Sequence, residues 1–347
     1  MKTQHNGPKV KVGIIFGGKS AEHEISVKSA TAIFKHLDRH QYDPYLIYID
    51  KQGLWGLLDI ETFTTSDCEA FAKRAPHSVI PWEHTSPTAL DCDIYFPVLH
   101  GPNGEDGKIP ALLEMAGKPY VGANSFASAL AMDKGVAKQL FREAGLDTPD
   151  FVILRKPQAE QAPALTKDLS YPLFVKPCSL GSSVGISKAK DDEELLKAVK
   201  LAFQYDRKII IEQGIDAREI EIAVMGNDTL EISPPGELVP ANEFYDYADK
   251  YIDGKTTFNI PVPLPETVVA TLKDMAQTAY HSLFLNGLSR IDFFLEKKSE
   301  KIYINEINTM PGFTEISMFP KLFALEGISF SALVSRLIQY GFDYHNQ

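Results

Sequence analysis

The chain is poor in cysteine, in long apolar runs and in positive charge, and each shortage narrows what it can be. Only three cysteines occur, Cys68, Cys92 and Cys178, in neither a CxxC pair nor an even set. That argues against a disulfide framework and for a reducing compartment. The apolar run Val12 to Phe16 stops at Gly17 and Gly18, too short for a signal sequence although Lys2, Lys9 and Lys11 precede it. No other run approaches the length that spans a bilayer, so the expected location is the cytoplasm. Lys and Arg number 35 against 46 Asp and Glu, a net charge of -11 with no dense basic stripe, which argues against nucleic acid and membrane surfaces as partners. An anionic ligand such as a nucleotide would need a local cluster of Lys and Arg.

The bulk is ordinary: 347 residues, 44% hydrophobic and 23% charged, enough for two or three domains with ample core. The first segment alternates strand and helix. Val10 to Phe16 reads as a buried strand, Ile25, Ile33 and Leu37 mark a helix face, Tyr45 to Ile49 and Ile94 to Leu99 read as strands, and Lys108 to Met115 as a helix. This pattern predicts a parallel α/β layer. The stretch Leu58 to Pro87 is less regular and reads as an insertion. A second segment begins near Gly122, with helices over 133–145 and 191–203 and strands over 151–154 and 173–176. From Ile209 the chain turns β-rich; a long amphipathic helix follows on Val268, Leu272, Met275, Ala279 and Leu283, then a hairpin and two helices.

That hairpin carries the most information. The runs SRIDFFLE and IYINEIN flank KKSEK, which predicts a turn near Ser299 with Asp292 opposite Glu306 and Arg290 opposite Asn308. Residues two apart share a strand face, so two carboxylates, a carboxamide and a guanidinium meet on one side. Hard oxygen ligands gathered in this way suit Mg2+ shared with substrate phosphates. A solvated face with cross-strand charge pairs fits the same residues. Phe294 and Ile304 are expected next on that face, confining the polar groups to one end as a site requires.

Other stretches carry chemistry less specifically. Pro177 to Gly185, PCSLGSSVG, follows a strand ending in Lys176; small residues let backbone fold over an anion, although this is not the P-loop pattern and Gly17-Gly18 lacks GxGxxG spacing. Glu212 and Glu219 sit in IIIE and REIEI, where carboxylates either meet a ribose or serve as edge charges. The loop EFYDYADKY, Glu243 to Tyr251, offers Lys250 to phosphate and the Tyr251 hydroxyl to a proton network. Glu22, at the carboxyl end of the first strand, is positioned to face a ligand. His36 and His40 have the spacing of a zinc pair but no third ligand, and read as a solvated helix end.

In order, the segments GGKSAEHEIS, LHGPNGEDG, AMDK, FVKPCSLGSSVGIS, EFYDYADKY, RIDFF and NEINTMPGFT resemble the D-alanine:D-alanine ligases of the ATP-grasp superfamily, over about Val10 to Phe342. The resemblance implies α/β and α+β architecture in three domains: a Rossmann-like N-terminal domain over 1–122 with the first D-alanine site, and two ATP-grasp subdomains over 123–212 and 213–347. It implies ATP and two Mg2+ ions, with Mn2+ as a substitute, D-alanine as substrate, and a homodimer. Lys134 and Lys176 match phosphate lysines, Glu212 and Glu219 match adenosine contacts, and the loop with Ser183 matches the glycine-rich cover. Asp292, Glu306 and Asn308 match the metal ligands, and Lys250 lies in the loop that closes on the γ-phosphate. Arg290 and the Gly312 NH match oxyanion donors. Glu22, Ser182 and Tyr251 match the trio around the first ammonium, His100 and Glu105 line that region, and Ser317 matches a contact to the second carboxylate.

The chemistry expected of that family is activation of a carboxylate as an acyl phosphate, then attack by an amine. The resemblance also implies that Tyr251 favours an amine over a hydroxy acid as nucleophile. The rival readings are a same-mechanism ligase using D-lactate or D-serine, a non-catalytic nucleotide-binding module on the same fold, and a Rossmann oxidoreductase, against which the missing GxGxxG argues.

Overall fold

The computed structural model describes residues 8–58, 60, 63, 91–181, 184–239 and 257–346. Most of the irregular stretch after Leu58, with Cys68, and all of the loop Glu243 to Tyr251 lie outside the described residues. Three sheets organise the rest. In the first, β1 (Val10–Gly17) lies between β2 (Tyr42–Ile49) and β4 (Ile94–Pro97), parallel to both. A short edge strand, β3 (Trp55–Leu58), runs antiparallel to β2 and was not anticipated from sequence. The run Val12 to Phe16 is apolar without alternation because both faces are covered: Ile14 and Phe16 join one core cluster and Ile15 another. Helix α1 (His23–His36) supplies Val27, Ala30 and Ile33 to the first cluster, and α2 (Lys108–Met115) supplies Ile109 and Leu113 to the second.

Two capped helices follow. Asn124 caps α3 (Ser125–Met132) by accepting from Ala127 N at 2.8 Å, and Asp133 caps α4 (Lys134–Glu143) by accepting from Val136 N at 3.1 Å. Their apolar faces, Ala127, Ala131, Ala137 and Phe141, pack into the core of the third sheet. The second sheet is antiparallel throughout, in order β5 (Phe151–Arg155), β8 (Lys208–Gln213), β6 (Leu173–Pro177), β7 (Ser187–Ala189). A 3-10 turn (Lys156–Gln161), the short α5 (Ala162–Leu165) and α6 (Asp192–Tyr205) accompany it, and Leu195, Val199 and Ala202 of α6 fill its core.

The third sheet runs β12 (Thr257–Asn259), β11 (Gly236–Val239), β9 (Ala217–Gly226), β13 (Gly287–Glu296), β14 (Ile302–Asn308), with β10 (Leu230–Ile232) on β9. Ile220, Ile222 and Val224 of β9 face α7 (Glu266–Ser282), while Ala223 and Met225 face a core shared with α8 (Met318–Leu325), α9 (Phe330–His345) and the first sheet. Among the described residues no single helix is long and apolar enough to cross a membrane. The bent pair α8 and α9 owes its apolarity to core residues such as Leu322, Leu333 and Leu337.

The β13–β14 register agrees with expectation at the polar end and departs from it beyond. Arg290 pairs with Asn308 and Asp292 with Glu306, but Phe293 then pairs with Ile304, leaving Asn305 unmatched as a bulge. The expectation that Ile304 shares a face with Phe294 is therefore corrected. Ile304 is fully buried in the α7-side core, and Tyr303 stands opposite Phe294. The Ile304 NH, turned aside at the bulge, donates to the Asp147 carbonyl at 2.9 Å.

Candidate active site

One cavity of about 620 Å³ opens where the three sheets converge, and its wall takes Glu22, His100, Glu105, Lys134, Arg290, Glu306, Asn308, Gly312 and Ser317 from the residues singled out in the sequence. The first sheet contributes its carboxyl end. Ser20 Oγ donates to the His100 carbonyl at 2.6 Å and Ser26 Oγ to the Val98 carbonyl at 2.6 Å, tying the start of α1 to the loop after β4. Glu22 is 8% exposed, and backbone closes on its carboxylate from two sides: a Cβ at Gly101 would lie 2.5 Å from Oε2, and one at Gly181 3.3 Å from it. Gly101 also has φ of +73°, so a side chain there meets both strain and collision.

His100 is a bridge as well as a wall. Its neutral ring donates from Nδ1 to the Met310 carbonyl at 3.0 Å and accepts the Ser29 hydroxyl at Nε2, also 3.0 Å; Ser29 Oγ in turn accepts from Phe313 N at 3.2 Å. Burial lowers the imidazole pKa, overcoming the pull of the Glu22 charge. Glu105 accepts from Gly101 N at 2.8 Å, and burial together with the neighbouring Glu22 pushes its carboxyl up to about 8. That wall of the cavity therefore holds a proton at neutral pH.

Lysines collect on the opposite side. Lys134, at the first turn of α4, donates to the Leu180 carbonyl at 2.8 Å and lies 3.3 Å from Glu306. Lys176, at the end of β6, pairs with Glu212 at 2.6 Å. The other Glu212 oxygen lies 3.1 Å from Lys138, which is 1% exposed and was not anticipated. Its signal was its place one turn after Lys134 on the same helix. Burial alone would raise the Glu212 carboxyl, but Lys138 and Lys176 outweigh it and hold the pKa at about 2. Lys176, Glu212 and Lys138 lie outside the wall of the main cavity, as does Glu219, which pairs in register with Phe294 and Leu238.

The third sheet forms the floor through Arg290, Glu306 and Asn308, with Asp292 outside the cavity wall. Arg290 grips Asp292 with two bonds of 2.7 Å, and Asn308 Nδ2 donates to Asp292 Oδ2 at 2.9 Å. A further carboxylate, Glu221, lies beside Asp292 on β9, 3.2 Å from Arg290 Nε. Spacing two from Glu219 in REIEI was its sequence signal. After β14, Thr314 donates its backbone NH to Ser317 Oγ at 3.0 Å, and Gly312 packs so near that a Cβ would lie 2.9 Å from that oxygen. Ser182, Ser183, Lys250 and Tyr251 lie outside the described residues.

The donor set on the floor is hard oxygen and fits Mg2+. Each carboxylate is matched by a cation of the protein, Arg290 on Asp292 and Lys134 on Glu306, so the face is built to hold positive charge. Among the described residues no group of three His, Cys, Asp or Glu side chains is gathered that could hold a metal ion. One pattern fails structurally: Gly13 to Ser20, GIIFGGKS, satisfies GxxxxGK[ST], yet Gly13 to Gly17 is extended strand and forms no loop around an anion.

Two antiparallel-rich sheets closing on a lysine cluster and a carboxylate floor, beside a parallel α/β layer, define the ATP-grasp class of fold. Family models described as "D-ala D-ala ligase N-terminus" and "D-ala D-ala ligase C-terminus" match residues 11–123 and 140–339. The chain belongs to the D-ala D-ala ligase family. It is 47% identical to the D-alanine--D-alanine ligase of Thermoanaerobacter sp. (strain X514), with 98% of each chain covered. The solved D-alanine-D-alanine ligase from Coxiella burnetii superposes with a TM-score of 0.85 at 35% identity, covering 98% of this chain and 96% of that one. The VanG D-Ala:D-Ser ligase from Enterococcus faecalis gives 0.85 at 33% identity, covering 96% and 100%.

Proposed function

We propose that the chain is an ATP-dependent, ADP-forming ligase that joins two D-alanines into D-alanyl-D-alanine, a cell-wall precursor dipeptide. The observation that carries this reading is the single cavity on which Glu22, Lys134, Arg290, Glu306 and Gly312 all open. Glu22 is suited to anchor the first ammonium. Lys134 and Lys176 are suited to the ATP phosphates, and Glu212 and Glu219 to adenosine. Asp292, Glu306 and Asn308 are assigned to two Mg2+ ions, which when bound offset the charge crowded on the phosphates. Arg290 and the Gly312 NH are assigned to the oxyanion of the second step, and Ser317 to the second carboxylate. His100 stays neutral and fixes the wall.

In this reading the first carboxylate is activated as an acyl phosphate, and the second amine displaces phosphate. Glu105, with its raised carboxyl, bounds the region where that amine must shed a proton. Ser182 and Tyr251 are assigned to the network around Glu22, Ser183 and Lys250 to the phosphates. The division at 122/123 and 212/213 is adopted with this reading, as are a homodimer, to be checked by sedimentation velocity, and a cytoplasmic location, supported by the use of ATP. The decisive assay supplies ATP, Mg2+ and D-alanine and reads ADP, phosphate and dipeptide mass, with D-serine and D-lactate as competing second substrates. ADP release without dipeptide, or equal turnover with L-alanine, would sink the reading.

A further inference from the structure

The floor contains a conflict. A divalent cation at Asp292 needs carboxylate lone pairs, yet Asp292 Oδ1 is taken by Arg290 Nε at 2.7 Å, and Oδ2 by both the Arg290 guanidinium at 2.7 Å and Asn308 at 2.9 Å. A divalent cation at Oδ2, which already accepts two N–H bonds, displaces one of them, and a guanidinium that loses its anion in so covered a site is costly. The side chains of Arg290, Asp292 and Glu221 are only 22%, 14% and 6% exposed.

Glu221 resolves the conflict. It stands in register with Asp292 on the neighbouring strand, as Glu306 does on the other side, so the three carboxylates form one row across β9, β13 and β14. Arg290 lies one step along that face, its Nε donating to Asp292 Oδ1 at 2.7 Å and forming an ion pair with Glu221 Oε2 at 3.2 Å. We propose that Glu221 is a positioning residue: it gives Arg290 a second anionic seat, so that Asp292 can be handed to a divalent cation while the guanidinium stays charged, paired and aimed into the cavity. A small rotation of the guanidinium exchanges one carboxylate for the other, and no bond is made or broken.

This inference rests on Asp292 being a metal ligand, and its test separates the two. Mn2+ binding to the full chain with ADP present is followed by electron paramagnetic resonance for the wild type and for Asp292→Asn, Glu221→Gln, Glu221→Asp, Arg290→Gln and the Glu221→Gln/Arg290→Gln double variant. Apo melting temperatures identify any variant that fails to fold. Glu221→Gln is expected to weaken Mn2+ about tenfold, the scale of one charged hydrogen bond, and Glu221→Asp to recover most of that loss. With Arg290 already replaced, Glu221→Gln should change affinity by less than about twofold, because no cation remains to be seated. Wild-type affinity in Glu221→Gln overturns the proposal. So does an undiminished loss in the double variant, which would make Glu221 a ligand itself, or a Glu221→Asp variant as weak as Gln. Unchanged binding in Asp292→Asn overturns instead the reading of the metal site.

Discussion

Glu212 and Glu105 are both covered carboxylates in one active centre, and they end in opposite states. Glu212, only 2% exposed, is the more deeply buried, yet it stays ionised with its pKa held at about 2. Glu105, partly buried, keeps its proton up to about 8. Burial alone would give the reverse order. What differs is the company: Glu212 has Lys138 and Lys176 at 3.1 and 2.6 Å, whereas at Glu105 the like charge of Glu22 adds to burial, and the Gly101 NH, Arg290 and Lys134 do not offset the two. The side proposed for the nucleotide is thus assembled from matched ion pairs and the side proposed for the amino acids from neighbouring acids, which divides charge stabilisation from proton handling.

The largest expected effect comes from Glu306, which belongs to the matched side through Lys134. Glu306→Gln is expected to abolish dipeptide formation with the fold intact; near wild-type turnover would remove the floor from the site. Next comes Lys176→Met, which deletes a cation proposed to meet phosphate and half of the Glu212 pairing. Its turnover should fall by about a hundredfold or more at saturating ATP, read as ADP release. Lys138→Met leaves Glu212 with one lysine and should raise KM for ATP more than it lowers kcat. It should also cost about 1–3 kcal/mol in urea unfolding, because a buried charge loses a partner. If KM and stability are both unmoved, matched pairing does not govern the nucleotide side.

The smallest effect tests the side of neighbouring acids. A carboxyl whose folded pKa is raised from 4.5 to about 8 stabilises the fold fully below its unfolded value, and that contribution is lost as pH rises through 8. Glu212, held at about 2, behaves oppositely: its contribution is present above 4.5 and disappears as the solution is acidified toward 2. Glu105→Gln should therefore flatten the decline of apo stability between pH 5 and 8, followed by melting temperature, and leave the acid limb unchanged. An unaltered slope would mean that Glu105 is ionised like its counterpart.

Much of this was legible in the chain. Local register and helix periodicity placed Asp292 opposite Glu306 and drew α1, α2, α4, α6 and α7 nearly to their ends. The bulge was missed although its mark was present: Ile302 and Ile304 keep a period of two, then the next apolar residue is Ile307, with Asn305 and Glu306 adjacent between them. Lys138 and Glu221 were passed over because a lysine on an amphipathic helix and a glutamate on an alternating strand look solvated until a neighbouring element covers them. What covers them is distant in sequence: β8 for Lys138, β13 for Glu221. The roles of the lysine cluster came from family resemblance, since no spacing rule joins Lys134 to Glu306.

The carboxylate row also sets an order of events in folding. Two of its members, Asp292 and Glu306, are joined by a short turn and can register within a single hairpin. Its third member, Glu221, waits for β9 to meet β13 across the whole of α7 and the segment before it. Closing that longer loop costs more entropy and comes later. A nascent hairpin therefore holds two acids in place before the strand that completes the row arrives, and Arg290, between them and Glu221, spans the earlier and the later contact.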